Sequence, residues 1–317
     1  MRAMISHKGT SAVVFGYHNV GVRCLSVLLA HGVKVPLVVT HADDPRENIW
    51  FGSVRRLAEL NRVPVVIAEN PNAPEFVARI AALKPDYLFS FYFRFMFKAP
   101  LLAVPQRGAL NMHGSLLPKY RGRVPVNWAI IKGECETGAS LHYMETKPDA
   151  GDLVDQQAVP ILPDDTGIEV FNKVTVAAEM VLDRSLPALM AGKAPRRPLD
   201  LKAGSYFGRR GPEDGRIDWR QPAQAVHDLI RAVAPPYPGA FSTAAGKPLR
   251  ILRSHYAGEA ARHPQPTLYV EAGRCYADCG DARRIEVVVL ELGDVAMDAL
   301  RLAEHNGNQS LSLGDQA

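Results

Sequence analysis

The sequence predicts an α/β fold followed by a small β domain. From residue 11 to about residue 190, short apolar runs alternate with segments of helical periodicity, which is typical of a sheet layered with helices. Residues 192–204 are rich in Pro, Lys and Arg and read as a linker, and beyond Thr243 short apolar runs are separated by turns. We therefore expect two domains, residues 1–203 and 204–305, with a polar tail over residues 306–317.

The first elements form a β-turn-α-β unit of the mononucleotide-binding type. Residues 11–15 predict a buried strand, residues 22–30 a helix, and residues 33–40 a second strand. The intervening turn lacks the G-x-G-x-x-G fingerprint, because Tyr17 to Val20 separate Gly16 from Gly21, so we do not expect NAD binding. The loop over residues 40–45 is either a helix N-cap with acidic first-turn residues or a contact to substrate.

The other elements of the α/β part continue the alternation. We predict its further strands at residues 63–67, 87–92, 108–113, 138–143, and 149–156 leading into 159–162. We predict its further helices at residues 51–61, 74–83, 126–132 and 167–190. In the C-terminal part we predict a helix at residues 224–234 and strands at residues 249–254, 267–270, 274–279 and 284–290.

Composition and charge narrow the class of protein. The formal net charge is +4, which suits an anionic substrate and argues against a nucleic-acid partner. No apolar run approaches the roughly 18 residues of a membrane span, and residues 1–9 lack the apolar core of a secretory signal, so we expect a cytoplasmic location. Cys275 and Cys279 form a C-x3-C pair without a ligand-rich partner segment, so we expect buried thiols and no metal.

Asn111 and His113 are the residues most indicative of chemistry, because they end the predicted strand 108–113. Alternate residues of a strand point the same way, so both side chains face one site. Open α/β sheets bind ligands outside the carboxyl ends of their strands. A histidine beside an amide donor equips such a site for proton transfer next to an oxyanion. For this pair taken alone, the alternative is a capped strand end with a hydrogen-bonded core histidine.

The segment from Asn111 to Arg123, with Asp149-Ala150-Gly151-Asp152 downstream, resembles the signature of folate-dependent formyltransferases. The resemblance runs from about residue 13 to residue 242, and it includes residues 16–18, 51–54, 89–92, 205–210, 230–234 and 238–242. It implies a Rossmann-like, mostly parallel sheet of the formyltransferase fold, then a five-stranded OB-like barrel. It also implies 10-formyltetrahydrofolate as the co-substrate.

The resemblance assigns roles to particular residues. His113 would transfer the proton, Asn111 would donate to the oxyanion, and Asp149 would favour the protonated imidazole, although Asp149 is also an ideal turn-former and Asp152 is a rival carboxylate. The predicted folate contacts are Phe95, Met96, Phe97, Arg123, Glu145, Thr146, Lys147 and Pro148. From the residues alone, residues 95–97 as core and Arg123 as a solvated surface arginine remain open.

Within the family, the sequence is most similar to formyltransferases that act on UDP-4-amino-4-deoxy-L-arabinose in lipid A modification and polymyxin resistance. Paired arginines suit phosphate, so we predict that Arg209 and Arg210 bind the sugar nucleotide, with a solvated surface pair as the alternative. There are three alternative functions: formylation of methionyl-tRNA, formylation of another nucleotide-linked amino sugar, and non-catalytic binding of a folate or a nucleotide. A bifunctional relative continues into a decarboxylating dehydrogenase domain, whereas this chain ends at Ala317, so we expect a separate protein to supply that oxidation.

Overall fold

The computed structural model describes residues 9–45 and 47–314. The expectation for residues 1–9 and the last three residues of the predicted polar tail therefore lie outside the described residues, apart from Gly9. The chain divides into two compact units. The first comprises residues up to Pro125, Thr137–Val159 and Asn172–Phe207, and the second comprises Val126–Glu136, Pro160–Phe171 and the residues from Gly208 onward. The predicted domain boundary between residues 203 and 204 stays a prediction.

The strands and helices follow the predicted alternation over the first part of the chain. The strands are β1 (Ser11–Gly16), β2 (Lys34–Thr40), β3 (Val65–Ile67), β4 (Tyr87–Phe91), β5 (Gly108–His113), β6 (Arg121–Gly122), β7 (Glu136–Tyr143), β8 (Leu153–Pro160), β9 (Tyr206–Phe207), β10 (Ala240–Ala244), β11 (Lys247–His255), β12 (Thr267–Glu271), β13 (Arg274–Asp278), β14 (Arg284–Leu292), β15 (Val295–Met297) and β16 (Leu311–Ser312). The α-helices are α1 (His18–Ala30), α2 (Val54–Leu60), α3 (Pro74–Ala82), α4 (Ala99–Leu102), α5 (Pro125–Ile131), α6 (Gly167–Met190), α7 (Ala223–Ala232) and α8 (Ala299–Asn306).

A seven-stranded sheet in the order β3-β2-β1-β4-β5-β7-β8 organises the first unit. The strands from β3 to β5 pair in parallel, and β7 pairs with β5 in the antiparallel sense. Parallel strands buried on both faces read as apolar runs, which is why β1 and β4 were recognisable from the sequence. The residues of one core cluster of this sheet are Val13, Phe15, Leu37, Val39, Ala68, Ile80, Leu88, Phe97, Leu101 and Ala109.

A separate, two-stranded pairing joins the loop after β5 to the segment that follows α6, and both strands belong to the first unit. Strand β6 pairs in parallel with β9, so that Gly122 lies opposite Phe207. Gly122 has a φ of 101°, and a Cβ atom at this residue would overlap the carbonyl oxygen of Phe207. The Tyr120 ring stacks on the Phe207 ring with 5.3 Å between centroids. Only glycine fits this close approach of two backbones.

The second unit contains an antiparallel sheet in the order β10-β11-β14-β13-β12-β16, with β15 paired to β14. A bridge between Ala244 and Leu313 links the first and last strands and nearly closes the sheet into a barrel. The two sheets confirm the predicted fold class, a mostly parallel α/β sheet followed by a small barrel. Helix α8 and strands β10, β15 and β16 were not predicted from the sequence.

The loop over residues 40–45 is not a helix N-cap. Helix α2 begins at Val54, and Ser53 caps it by accepting a hydrogen bond from the backbone N–H of Arg56 at 3.2 Å. The N-cap interpretation was therefore wrong, because none of the described residues between Thr40 and Ser53 lies in a helix. Across the described ranges, none of the helices has the length and apolar character needed to cross a membrane.

Candidate active site

His113 ends strand β5 and is buried, with 6% of its surface exposed. Its Nε2 atom lies 2.8 Å from the carbonyl oxygen of Tyr120. Because a carbonyl oxygen only accepts, Nε2 carries the proton in the neutral ring. Its Nδ1 atom lies 3.6 Å from Oδ1 of Asp149. Nδ1 is therefore the atom that can take up a second proton beside a carboxylate.

Asp149 lies in the loop between β7 and β8, where its φ of 47° places the residue in the left-handed region. Oδ1 lies 3.4 Å from Nδ2 of Asn111, and Oδ2 accepts a hydrogen bond from the backbone N–H of Gly122 at 2.9 Å. Asp149 is therefore both a turn residue and the carboxylate of this cluster, as expected from its two possible roles. The structure brings Asn111, His113 and Asp149 into one cluster in the first unit, although 36 residues separate His113 from Asp149 in the chain.

The electrostatics of this cluster keep Asp149 ionised. Burial alone would raise the pKa of the Asp149 carboxyl group. The imidazoles of His113 and His142 and the backbone N–H of Gly122 outweigh burial and hold that pKa well below its usual range. The site therefore contains a half-buried carboxylate that stays ionised.

His142 is a member of this cluster that the sequence analysis missed. It lies on β7 directly opposite Asn111, and it is 2% exposed. Its Nδ1 atom donates to the carbonyl oxygen of Tyr143 at 2.8 Å, and in the neutral ring its Nε2 atom accepts from Nδ2 of Asn111 at 3.2 Å. The same Nε2 lies 3.4 Å from Oδ1 of Asp149. Strand 138–143 was predicted, but only the antiparallel register with β5 shows where His142 points.

Serine side chains fix the loop that follows β5. Ser140 Oγ donates to the carbonyl oxygen of Ser115 at 2.6 Å and accepts from the backbone N–H of Leu117 at 3.1 Å. Ser115 Oγ donates to the carbonyl oxygen of Lys119 at 2.7 Å. These bonds hold in place the Tyr120 carbonyl that orients His113. The loop is thus a rigid support for the catalytic candidates.

The predicted folate contacts of residues 95–97 divide into two kinds. Phe95 and Met96 are 40% and 47% exposed, whereas Phe97 is 2% exposed and packs against Phe15 with 4.6 Å between ring centroids. The core alternative therefore holds for the side chain of Phe97. Within the described part of the chain, no hydrogen bond reaches the backbone N–H or C=O of Phe95 or Phe97. Phe95 therefore offers unbonded backbone groups at an exposed residue, whereas those of Phe97 belong to a buried residue.

The other predicted folate contacts are Arg123, which follows the Gly122 that bonds to Asp149, and residues 145–148, which precede Asp149 in the chain. Arg123, Glu145, Thr146 and Lys147 are exposed, and Pro148 is half-buried. The backbone N–H of Arg123 donates to the carbonyl oxygen of Phe207 at 3.0 Å, which places Arg123 next to the β6–β9 pair. The rival carboxylate, Asp152, makes a backbone hydrogen bond to Tyr143 at 2.8 Å and no side-chain bond to any described residue.

Arg209 and Arg210 belong to the second unit. Arg209 is exposed, whereas the guanidinium of Arg210 lies 5.2 Å from the centroid of the Trp128 ring. Nη2 of Arg210 donates to the carbonyl oxygen of Asp214 at 2.6 Å, and Nη1 is buried without a hydrogen-bond partner among the described residues. Burial lowers the pKa of Arg210. Arg210 is therefore a half-buried cation with unused donor capacity.

A cavity of about 170 Å³ lies at the carboxyl ends of β1, β2 and β3. Tyr17, His41, Asp43 and Phe51 are among the residues that line it. The Tyr17 hydroxyl donates to Oδ1 of Asp43 at 2.9 Å, and the Tyr17 ring meets the His41 and Phe51 rings edge-on. The loop over residues 40–45 thus helps to form a cavity with aromatic walls and one carboxylate.

The cysteines do not form a metal site in the described structure. Cys275 and Cys279 are buried free thiols, and burial raises the pKa of each to about 12. Such thiols stay protonated at neutral pH. Between residues 9 and 314, leaving aside Arg46, no group of three or more His, Cys, Asp and Glu side chains is arranged to hold a metal ion.

Comparison with known proteins places this chain in a family of enzymes. The formyl transferase family matches residues 22–186, and the formyl transferase C-terminal domain matches residues 210–306. The chain therefore belongs to the formyltransferase family.

Solved structures of the same fold include two N-formyltransferases and HypX. The N-formyltransferase from Helicobacter canadensis, in complex with folinic acid and dTDP-3-aminofucose, has a TM-score of 0.71 and 21% identity, covering 87% of this chain and 98% of that one. The sugar 3-N-formyltransferase WlaRD, in the presence of dTDP and 5-N-formyltetrahydrofolate, has a TM-score of 0.69 and 19% identity, covering 89% and 97%. HypX from Aquifex aeolicus with tetrahydrofolic acid has a TM-score of 0.61 and 18% identity, covering 94% and 47%.

Proposed function

We propose that this protein transfers a formyl group from 10-formyltetrahydrofolate to the amine of a nucleotide-linked amino sugar. The observation that carries the proposal is the cluster of Asn111, the buried His113 and Asp149 at the carboxyl end of β5 in a chain of the formyltransferase family. Two proteins of the same fold are N-formyltransferases whose structures contain a formylated folate together with a dTDP-sugar or dTDP. The cluster supports proton transfer, which a mere binding module would not need.

Formyl transfer forms a bond from the acceptor nitrogen to the formyl carbon and breaks the bond from that carbon to N10 of the folate. The attacking amine must lose a proton, and N10 must gain one in order to leave. Nδ1 of His113 accepts the first proton and returns it to N10, because Nε2 is occupied by its bond to Tyr120. Asp149 stabilises the imidazolium that exists between the two steps, since its carboxylate lies 3.6 Å from Nδ1.

The tetrahedral intermediate carries a negatively charged oxygen, which Asn111 would stabilise. One hydrogen of its Nδ2 bonds to Nε2 of His142 at 3.2 Å, and the other makes only a long contact of 3.4 Å to Oδ1 of Asp149. The weakly held hydrogen is the one that turns to the oxyanion. Losing one such donor typically costs about 2.7–4 kcal/mol of activation free energy.

The folate would bind beside the loops that contain residues 95–97 and 145–148. The free backbone groups of Phe95 and Phe97 suit the hydrogen-bonding edge of a pterin, and the exposed Phe95 and Met96 side chains supply apolar walls. Arg123 would meet a polar or anionic group of the folate through its fork of donors. Glu145, Thr146, Lys147 and Pro148 would line the same pocket next to Asp149.

For the acceptor, we propose UDP-4-amino-4-deoxy-L-arabinose, the substrate of the formyltransferase part of the bifunctional polymyxin-resistance enzyme, with a role in lipid A modification in the cytoplasm. The motif residues from Asn111 to Arg123 support this choice, as does residue block 205–210. Arg210 would bind the diphosphate with the donors that the described structure leaves unused, and Arg209 would assist from its exposed position.

The decisive experiment offers the purified protein 10-formyltetrahydrofolate with each of three acceptors: UDP-4-amino-4-deoxy-L-arabinose, a dTDP-linked amino sugar and methionyl-tRNA. Products are identified by mass spectrometry. We expect rapid transfer to the UDP-sugar. Transfer to the dTDP-sugar alone would correct the acceptor, and transfer to methionyl-tRNA alone would overturn the sugar-nucleotide assignment.

The Arg210 assignment has its own test, in which Arg210→Ala is compared with the exposed Arg274→Gln. Arg210→Ala should raise the KM for the UDP-sugar at least about tenfold and leave the KM for the folate near the wild-type value. Arg274, whose side chain is 64% exposed beside Glu286, serves as the control for loss of one positive charge. Equal increases in both KM values would remove Arg210 from the nucleotide site.

A further inference from the structure

Arg121 is a buried cation for which the described structure supplies no counter-ion. It lies on β6 and is 9% exposed. Its Nε atom is completely buried without a hydrogen-bond partner, and no atom of its guanidinium bonds to any described residue. Burying a charged group without a partner is costly, so such groups are retained where something else completes them.

A second buried arginine in the chain shows what a purely structural role requires. Arg231, in the second unit, is 5% exposed. Its guanidinium pairs with Asp228 at 2.7 Å and donates to the carbonyl oxygens of Leu162 and Asp165. Arg121 has none of these satisfied donors. The chain thus compensates the buried charge of Arg231 with its own groups, and it does not do so for Arg121.

The backbone places Arg121 at the candidate active site. The residue before it, Tyr120, accepts the hydrogen bond from Nε2 of His113, and the residue after it, Gly122, donates to Oδ2 of Asp149. Asp149 makes its contacts with Asn111, His142, His113 and Gly122, so it does not neutralise Arg121. The backbone of Arg121 therefore lies between the two residues that contact His113 and Asp149.

We propose that Arg121 binds an oxyanion group of a substrate beside the His113–Asp149 pair. This inference rests on the proposed function, in which both substrates carry such groups: phosphates on the sugar nucleotide and carboxylates on the folate. The planar guanidinium fork matches either group with two parallel hydrogen bonds. The bound substrate then supplies the negative charge that Arg121 lacks among the described residues. Arg121 thereby couples substrate binding to the loop that orients the proton-transfer histidine.

The experiment measures binding by calorimetry, with no formyl transfer required. Each anionic ligand is paired with a matched ligand that lacks the anion: UDP with uridine, and folinic acid with its diamide, in which both glutamyl carboxylates are replaced by neutral amides. Wild type, Arg121→Gln, Arg121→Lys and the exposed control Arg274→Gln are compared. We expect Arg121→Gln to weaken either UDP or folinic acid about 10- to 100-fold, with its uncharged counterpart unchanged. The affected pair identifies the source of the oxyanion.

A spectroscopic readout on the wild-type protein keeps the test valid if Arg121→Gln does not fold. The buried Nε–H of Arg121 should give a protected NMR signal, assigned by its loss in Arg121→Lys. This signal should shift on titration with the anionic ligand and stay in place with the uncharged counterpart. An unshifted signal, unchanged affinities in Arg121→Gln, or equal losses for charged and uncharged ligands would overturn the inference while leaving the proposed function standing. Failure of the wild type to bind UDP and folinic acid would instead contradict both.

Discussion

Replacement of Asp149 by asparagine removes one charge from the cluster and little else. Asparagine has the same shape, and its side-chain oxygen can still accept from the backbone N–H of Gly122, which now bonds to Oδ2 at 2.9 Å. The amide nitrogen then faces Nδ1 of His113 in place of the carboxylate oxygen. The fold should survive, because the loop keeps its anchor, but the imidazolium loses its counter-ion.

The distance between the two groups sets the size of the effect. Two unit charges 3.6 Å apart interact by about 4–5 kcal/mol at an effective dielectric constant of about 20. Solvent that enters with the substrates screens part of this, so we expect kcat to fall by about 10²- to 10³-fold, since each 1.4 kcal/mol or so is worth tenfold. The KM values should change little, because the charge acts on the transition state.

The assay is steady-state formyl transfer to the amino-sugar nucleotide at saturating concentrations of both substrates. Asp183→Asn is the matched control, because Asp183 pairs with His31 at 2.7 Å on the surface of the same unit. That variant should keep wild-type turnover. An Asp149→Asn enzyme with turnover within about threefold of wild type, and with a normal unfolding midpoint, would refute the role of the carboxylate.

Three further predictions concern other parts of the site. His142→Ala should lower kcat about 10- to 100-fold in the same assay with KM nearly unchanged, because it removes the acceptor that orients Asn111; a change confined to KM would contradict this. Gly122→Ala should lower the free energy of unfolding in urea by about 1–3 kcal/mol or more, because the residue has a positive φ and its new Cβ atom would overlap Phe207. Gly208→Ala should be nearly neutral, because no other atom lies within 4 Å of a Cβ atom there. Equal losses of stability in the two variants would disprove the argument. Burial lowers the pKa of His41 to about 4, so its NMR signal should not titrate between about pH 5.5 and 8. Because the unfolded chain binds this proton more readily, His41 should make folding less favourable as pH falls from about 6.5 towards 4. A titration midpoint of the His41 signal near pH 6.5 would contradict this.

The elements that could be predicted from the sequence are those with strong local signals. Strands β1 and β4 are apolar runs, and β5 was recognisable by the polar residues that end it. Helix α8 was missed although Asp298 caps its start and Gly307, with a φ of 58°, ends it. The segment has few apolar residues, so it lacks the helical hydrophobic periodicity by which the other helices were predicted. Strand β16 has only two residues, and pairing with β12 alone defines it.

The candidate site shows the same division between local and long-range information. Alternation along β5 is enough to place Asn111 and His113 on one face. Nothing in the spacing alone could place Asp149 beside them, because the intervening chain passes through β6, α5 and β7, and part of it lies in the second unit. The resemblance to a family supplied that residue. His142 and the unpaired Arg121 depend on strand register and burial, which the sequence does not show.

The most direct test of the central claim is single-turnover formyl transfer by His113→Ala, compared with wild type and with His31→Gln. His31, which forms the surface pair with Asp183, controls for the loss of one imidazole beside a carboxylate. The account predicts that His113→Ala binds both substrates with near wild-type affinity but forms the formylated sugar nucleotide at least about 10³-fold more slowly, while His31→Gln is unaffected. Formation of product by His113→Ala at a rate close to that of the wild type would show that the cluster at the end of β5 is not the site of proton transfer.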